Sequence, residues 1–293
     1  MPFHQLVLEF PGRELLRAED ACTRLGAIAV SLADAGDEPL LEPGPGETPM
    51  WQAVRLRALF DLSTDPDVAA ATLAVVLGIP PGDISIERLE DRAWEREWLK
   101  DFRPLRFGRR LWVAPAGQRP DAPAHVVLEL DPGLAFGTGT HATTALCLEW
   151  LDGRIQGGER VLDYGCGSGI LALAALKLGA LSAVAFDIDP QALIATRENA
   201  VKNGLAPHID VAQQVEAVAG AFDVVLANIL AGPLVELAPR LARLARPGGE
   251  IVLAGLLARQ AAEVARAYEP WFDIDPKAER EGWTLLAGRR RAE

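Results

Sequence analysis

Apolar residues along the first part of the chain recur with two different periods. His4–Phe10 alternates apolar and polar positions, as a half-buried strand does. Arg13–Leu25 carries Leu15, Leu16, Ala18, Ala21 and Leu25 at helical spacing, and Ala27–Ala33 returns to a strand pattern. Four prolines between Pro39 and Pro49 make that stretch a loop. Trp51–Phe60 alternates Val54, Leu56, Ala58 and Phe60 on one face. Asp65 followed by Pro66 is the cap and first position of a helix expected to run to Leu77, and Ile84–Leu89 alternates again. The order βαββαβ predicts a small α+β, ferredoxin-like domain over residues 1–91. That architecture serves many functions and identifies none.

Residues 92–110 differ in composition. Arg92, Arg96, Lys100, Arg103, Arg106, Arg109 and Arg110 face only Glu95, Glu97 and Asp101, with Trp94, Trp98, Phe102 and Phe107 interleaved. Basic residues among aromatics can form an RNA surface; the plainer expectation is an amphipathic connector that packs its aromatics on one or both domains. From Leu111 to the end, strands alternate with helices. Strands are expected at Arg160–Asp163, Ala183–Phe186, Phe222–Ala227 and Ile251–Ala254. Helices are expected at Ile170–Leu178, Pro190–Asn203, Leu234–Leu244 and Gln260–Tyr268, with Phe272–Ile274 and Trp283–Ala287 as a closing hairpin. Apolar strands separated by helices predict a doubly wound, Rossmann-like α/β domain over 111–293.

Composition narrows the class. With 49% hydrophobic residues the chain can build a sizeable core, and it has no uninterrupted apolar run long enough to span a membrane. Its N-terminus shows no secretion signal, and three widely spaced cysteines fit neither a disulfide framework nor a metal site; both features suit a reducing cytoplasm. A formal charge of −12 disfavours generic nucleic-acid binding and favours a basic partner.

The chemistry concentrates at strand ends. Asp163-Tyr164-Gly165-Cys166-Gly167-Ser168-Gly169 lies between a strand and a helix, where glycines let the backbone turn tightly and approach a ligand. The spacing is not the G-x-G-x-x-G of dinucleotide sites, and a carboxylate at Asp163 would repel a pyrophosphate. Beside the ammonium group of a methionine moiety it would be favourable. Asp187 ends the next strand, where a carboxylate can accept both hydroxyl protons of a ribose; Asp189, followed by Pro190, is expected to cap a helix. Asn228 ends a third strand, where its side-chain oxygen can accept from an amine and aim the amine lone pair. The segment Asn228-Ile229-Leu230-Ala231 corresponds in position to the Asn-Pro-Pro-Tyr of amine methyltransferases, without the tyrosine that would stack a nucleobase. An NAD-dependent dehydrogenase and a nucleic-acid methyltransferase are the competing classes.

Together these residues resemble a known family. Leu130–Thr144, with its Gly137-Thr138-Gly139-Thr140-His141 run, is similar to the signature of the bacterial PrmA family, the methyltransferases of large-subunit ribosomal protein eleven. The Asp163–Gly169 turn, Asp187-Ile188-Asp189-Pro190 and Asn228–Ala231 match in the same order. The resemblance implies S-adenosyl-L-methionine as methyl donor, with donor contacts at Thr144, Gly165, Asp187 and Asn228. The residues themselves add Asp163 and Gly167 to the donor site, and Thr144 and Asn228 are the candidates for the catalytic role. The resemblance also implies methylation of lysines and an N-terminal amine, up to trimethyl, and a substrate-binding role for the N-terminal domain. His141 is expected to hold loop geometry rather than act as acid or base. The Thr144 hydroxyl can cap the helix it begins, contact the donor, or both. Gly133, Gly137 and Gly139 fit a flap or a fixed turn.

Overall fold

The computed structural model describes residues 3–36, 51–89, 103–115, 117, 118, 120, 126–130 and 139–292. The Pro39–Pro49 loop, Trp94, Trp98, Phe102, Gly133 and Gly137 lie outside them. The chain separates into two compact units, Met1–Ala93 and Trp94–Glu293.

In the first unit, β1 (Phe3–Pro11), α1 (Leu15–Arg24), β2 (Ala29–Asp34), β3 (Ala53–Asp61), α2 (Pro66–Leu77) and β4 (Ser85–Leu89) follow in order. The four strands form one antiparallel sheet in the order β2-β3-β1-β4, the ferredoxin-like arrangement. Register explains why it closes: Leu6, Leu8 and Phe10 of β1 stand opposite Ala58, Leu56 and Val54 of β3. All six are buried, sharing a core with Ala18 of α1 and Leu73 of α2. Asp65 starts α2 by accepting from the N–H of Asp67 and Val68 at 3.0 and 3.3 Å, and Gly78 stops it at φ +67°.

The second unit begins with a three-stranded sheet of β5 (Leu105–Phe107), β6 (Leu111–Pro115) and β7 (Val126–Leu130). There follow α3 (Ala142–Arg154), β8 (Arg160–Tyr164), α4 (Ile170–Leu178), β9 (Ser182–Phe186), α5 (Pro190–Lys202), β10 (Ile209–Ala212), β11 (Phe222–Asn228), α6 (Ala231–Leu244), β12 (Ala245–Leu257), α7 (Ala261–Tyr268), β13 (Phe272–Arg280) and β14 (Trp283–Arg290). The main sheet runs β10-β9-β8-β11-β12-β14-β13. Its first five strands are parallel; β14 is antiparallel to both its neighbours. Alternate strand residues enter different cores. Val161, Leu226 and Val252 pack with Leu148 and Leu171 from α3 and α4, while Leu162, Val225 and Leu253 pack with Leu234 and Val264 from α6 and α7. Both faces are covered, which is why the strands read as continuous apolar runs. The chain reverses direction across the sheet beside β8, the switch point where such sheets open a ligand crevice.

The end of the basic stretch is built into this unit. Arg109, Arg110 and Leu111 donate their backbone N–H to the buried Asp152 carboxylate of α3 at 2.6, 3.0 and 3.1 Å. Phe107 joins the core under α3 and α4. Among the described residues no helix is long and apolar enough to cross a membrane.

Candidate functional site

Register brings the predicted residues to one edge of the sheet. Asp163 on β8 pairs with Ala185 of β9 on one side and Leu226 of β11 on the other. Asn228, the last residue of β11, lies two residues beyond Leu226, and Asp187, just past the end of β9, lies two beyond Ala185, so the two flank the turn that leaves β8. Gly165 and Gly169 take left-handed φ values of +84° and +79°. Neither tolerates a side chain: a Cβ on Gly165 would overlap the Ile229 side chain, and one on Gly169 would lie 2.8 Å from the Thr196 hydroxyl. The N–H groups of Gly165 and Cys166 donate to the Phe186 carbonyl at 2.7 and 3.0 Å, tying the turn to the end of β9.

Asp163 is fully buried. Its Oδ2 accepts from the Ala172 N–H in the first turn of α4 at 3.0 Å, and its Oδ1 has no partner among the described residues. Burial pushes this carboxyl up to about 7; the Ala172 N–H opposes the rise and the nearby Asp187 carboxylate adds to it. Asp187 is half-buried and gripped at both oxygens: Oδ2 accepts from Gly167 N–H at 2.9 Å, Oδ1 from Asp189 N–H at 3.0 Å. Each oxygen keeps a lone pair for a ligand hydroxyl. Asp189 is the cap of α5, accepting from Gln191 N–H at 2.9 Å, as its place before Pro190 predicts.

Asn228 and Thr144, distant in sequence, meet here. The Asn228 Nδ2 donates to the Thr144 hydroxyl at 3.4 Å. With the amide nitrogen turned to Thr144, the amide oxygen is the side of Asn228 left to accept from a substrate amine. Thr144 lies within the first turn of α3 and is buried, but it is not the helix cap. That place belongs to His141, whose Nδ1 accepts from the Thr143 N–H and lies 2.8 Å from the Thr143 hydroxyl. The imidazole also packs edge-on against Trp283, with centroids 5.0 Å apart. His141 therefore holds the start of α3. Gly139, the described member of the three loop glycines, takes φ +87° against Phe107.

Sequence reasoning missed a polar line on α5. Thr196 Oγ1 donates to the Gly167 carbonyl at 3.0 Å and Asn199 Nδ2 to the Ser168 carbonyl at 3.0 Å, both from fully buried side chains. One turn on, Asn203 accepts from Glu129 N–H at 3.0 Å and donates to the Glu129 carbonyl at 2.6 Å, fastening α5 to β7. The signal was their spacing: positions 196, 199 and 203 share one helix face.

Known proteins share the sequence and fold of this chain. A sequence profile of the family described as "Ribosomal protein L11 methyltransferase (PrmA)" matches residues 2–291. A protein of that name from Pseudomonas paraeruginosa is 52% identical over 100% of both chains. One from Azotobacter vinelandii is 50% identical over 99% of this chain and 100% of its own. The crystal structure titled as a ribosomal protein L11 methylase from Lactobacillus delbrueckii subsp. bulgaricus superposes with a TM-score of 0.60 at 35% identity, covering 65% of this chain and 100% of that one. The turn, the acid and the asparagine at adjacent strand ends thus sit in a chain that belongs to the ribosomal protein L11 methyltransferase (PrmA) family.

Proposed function

We propose that the protein transfers methyl groups from S-adenosyl-L-methionine to amines of large-subunit ribosomal protein eleven, at lysine side chains and the N-terminal α-amine. The observation that carries this is the placing of Asp163, Asp187 and the Asn228–Thr144 pair around one glycine-rich turn. The donor fits the residues present. The buried Oδ1 of Asp163, without a partner among the described residues, suits an ammonium group, and the lone pairs left on the Asp187 oxygens suit a ribose diol. Gly165 and Gly167 bring backbone close to it. When bound, the donor supplies a methyl group already activated by its sulfonium, so the protein must supply position, desolvation and a neutral amine.

Asn228 is assigned the orienting role: its amide oxygen accepts from the amine while its nitrogen is steadied by Thr144. A free lysine has a pKa near 10.4, so presenting it neutral at about pH 7.5 costs about 4 kcal/mol, and an α-amine with a pKa near 8 costs under about 1 kcal/mol. Burial beside a sulfonium lowers either value. No dedicated base is then required, in keeping with His141 being occupied at the start of α3.

We assign residues 1–91 to substrate recognition, 92–110 to a connector and 111–293 to catalysis. Charge supports the first assignment: residues 1–93 hold sixteen Asp and Glu against seven Lys and Arg, hence −9 of the chain's −12. An acidic unit of that kind draws in a basic protein without nucleic acid as intermediary. The test is incubation of the enzyme with total ribosomal proteins and isotopically labelled donor, then intact-mass and peptide mass spectrometry. Label on lysines and the N-terminus of one basic large-subunit protein is expected. Label that partitions with RNA, or no label, refutes the proposal.

A further inference from the structure

We propose that Thr196 is a positioning residue for the methyl donor, acting through Gly167 on the Asp187 carboxylate. The geometry is a closed ring of contacts. Asp187 Oδ1 is held by the N–H of Asp189, the residue that opens α5, at 3.0 Å. Asp187 Oδ2 is held by the N–H of Gly167 at 2.9 Å. The carbonyl of that same Gly167 is held from α5 again, by Thr196 Oγ1 at 3.0 Å. Both grips on the carboxylate are therefore referred to one rigid helix.

Two features mark the Thr196 contact as more than filler. A threonine inside a helix usually turns its hydroxyl back to the carbonyl four residues earlier. Here it reaches across to the turn, with Cys166 Sγ 3.5 Å away. It also lies 2.8 Å from where a Cβ on Gly169 would be, so the turn's third glycine and Thr196 fit one another. Gly167 sits at φ +53° with no side chain to fix it, and a glycine peptide released on its carbonyl side is free to rotate. The Gly167 carbonyl and N–H lie on successive peptide planes joined at the Cα, so release of the carbonyl lets φ and ψ of Gly167 readjust, tilting the N–H away from Asp187 and loosening the carboxylate that meets the ribose. Thr196 touches no donor atom in this scheme; it sets where Asp187 points.

The inference rests on the donor site proposed above, and the test separates the two. Donor affinity of the full chain is measured by calorimetric titration with S-adenosyl-L-methionine, alongside single-turnover rates at saturating donor. Thr196→Val, which keeps the shape and removes the hydroxyl, is expected to weaken donor binding about tenfold, the scale of one lost hydrogen bond at a buried carbonyl. The rate at saturating donor stays within about twofold, and Thr196→Ser restores affinity. In an Asp187→Asn background, Thr196→Val costs less than about threefold, because the carboxylate it positions is already gone. If Thr196→Val does not fold, Thr196→Ala carries the same expectations. Unchanged affinity with only a lowered Tm overturns the proposal. So does a full tenfold loss that persists beside Asp187→Asn. Wild-type protein that does not bind the donor, or Asp187→Asn that binds it as wild type does, overturns the donor site itself and this inference with it.

Discussion

Replacing Asp163 by Asn separates the two demands on this side chain. The carboxamide keeps an oxygen for the Ala172 N–H but cannot ionise. In the donor-free protein the Asp163 carboxyl is raised from 3.8 to about 7, chiefly by burial. A raised acid binds its proton more tightly when folded, so its contribution to stability is fully present below pH 4 and is lost as pH rises through 7. Those two values differ by about 3 pKa units, or roughly 4 kcal/mol between the extremes. Urea unfolding of donor-free protein from pH 4 to pH 8 should therefore show Asp163→Asn gaining on wild type as pH rises. Donor binding should show the complementary pattern. The donor ammonium favours the ionised carboxyl, so below pH 7 a proton competes with the donor and wild-type affinity falls by up to about tenfold per pH unit. Asp163→Asn should bind more weakly near pH 7.5, with a flatter profile below it. The thiols facing this site, Cys147 and Cys166, are both pushed up by burial first and by the Asp163 charge second, so they stay neutral across the range and do not imitate the effect. A stability difference that is constant with pH, or identical affinity profiles, would refute the reasoning.

Three further outcomes follow from other parts of the chain. Asn228→Ala should lower single-turnover methylation at least tenfold at saturating donor while donor affinity falls only a few-fold; a rate within threefold of wild type removes the orienting role. Glu281 holds φ +54° in the two-residue turn between Arg280 and Trp283, a conformation that costs a side-chain-bearing residue about 1 kcal/mol. Glu281→Gly should accordingly raise Tm by about 2–4 °C, and a lower Tm contradicts that account. A chain from Arg103 to Glu293, once shown to be folded by circular dichroism, should bind the donor within a few-fold and lose most methylation of the intact ribosomal protein. Equal methylation by the shortened chain would end the recognition role assigned to the N-terminal unit.

What the sequence revealed depended on the range of the force involved. Caps are local, so Asp65-Pro66 and Asp189-Pro190 located the starts of α2 and α5 to the residue. Left-handed backbone demands glycine, so the turn at 165, 167 and 169 was legible too. The polar line on α5 was not: Thr196 and Asn199 bind carbonyls 29 and 31 positions away, and nothing in a helical pattern names such partners. The strand β10 is four residues with a charge in the middle, too short for a period to register. The insertion of β14 between β12 and β13 depends on pairing between distant segments. Thr144 was placed at the helix start, but which residue caps was settled by the His141 ring turning back to Thr143.

The two acids show how one sheet can make opposite environments from the same side chain. Asp163 falls inside β8, with β9 and β11 hydrogen-bonded on either side and α4 closing over it. Water is excluded there, and among the described residues a single backbone N–H offsets the lost hydration. Asp187 falls just past the end of β9, where two backbone N–H groups converge and solvent still reaches. One residue of register would exchange these surroundings or turn the side chains to the other face. On the donor site proposed above, the first acid answers a buried ammonium, whose arrival would restore its charge. The second keeps lone pairs outward for hydroxyls. The glycine-rich turn joins them: its Gly167 N–H orients the second acid, while the helix that follows it caps onto the first. A substitution that shifts the turn should therefore disturb both ends of a bound donor together, whereas loss of either acid should disturb only one.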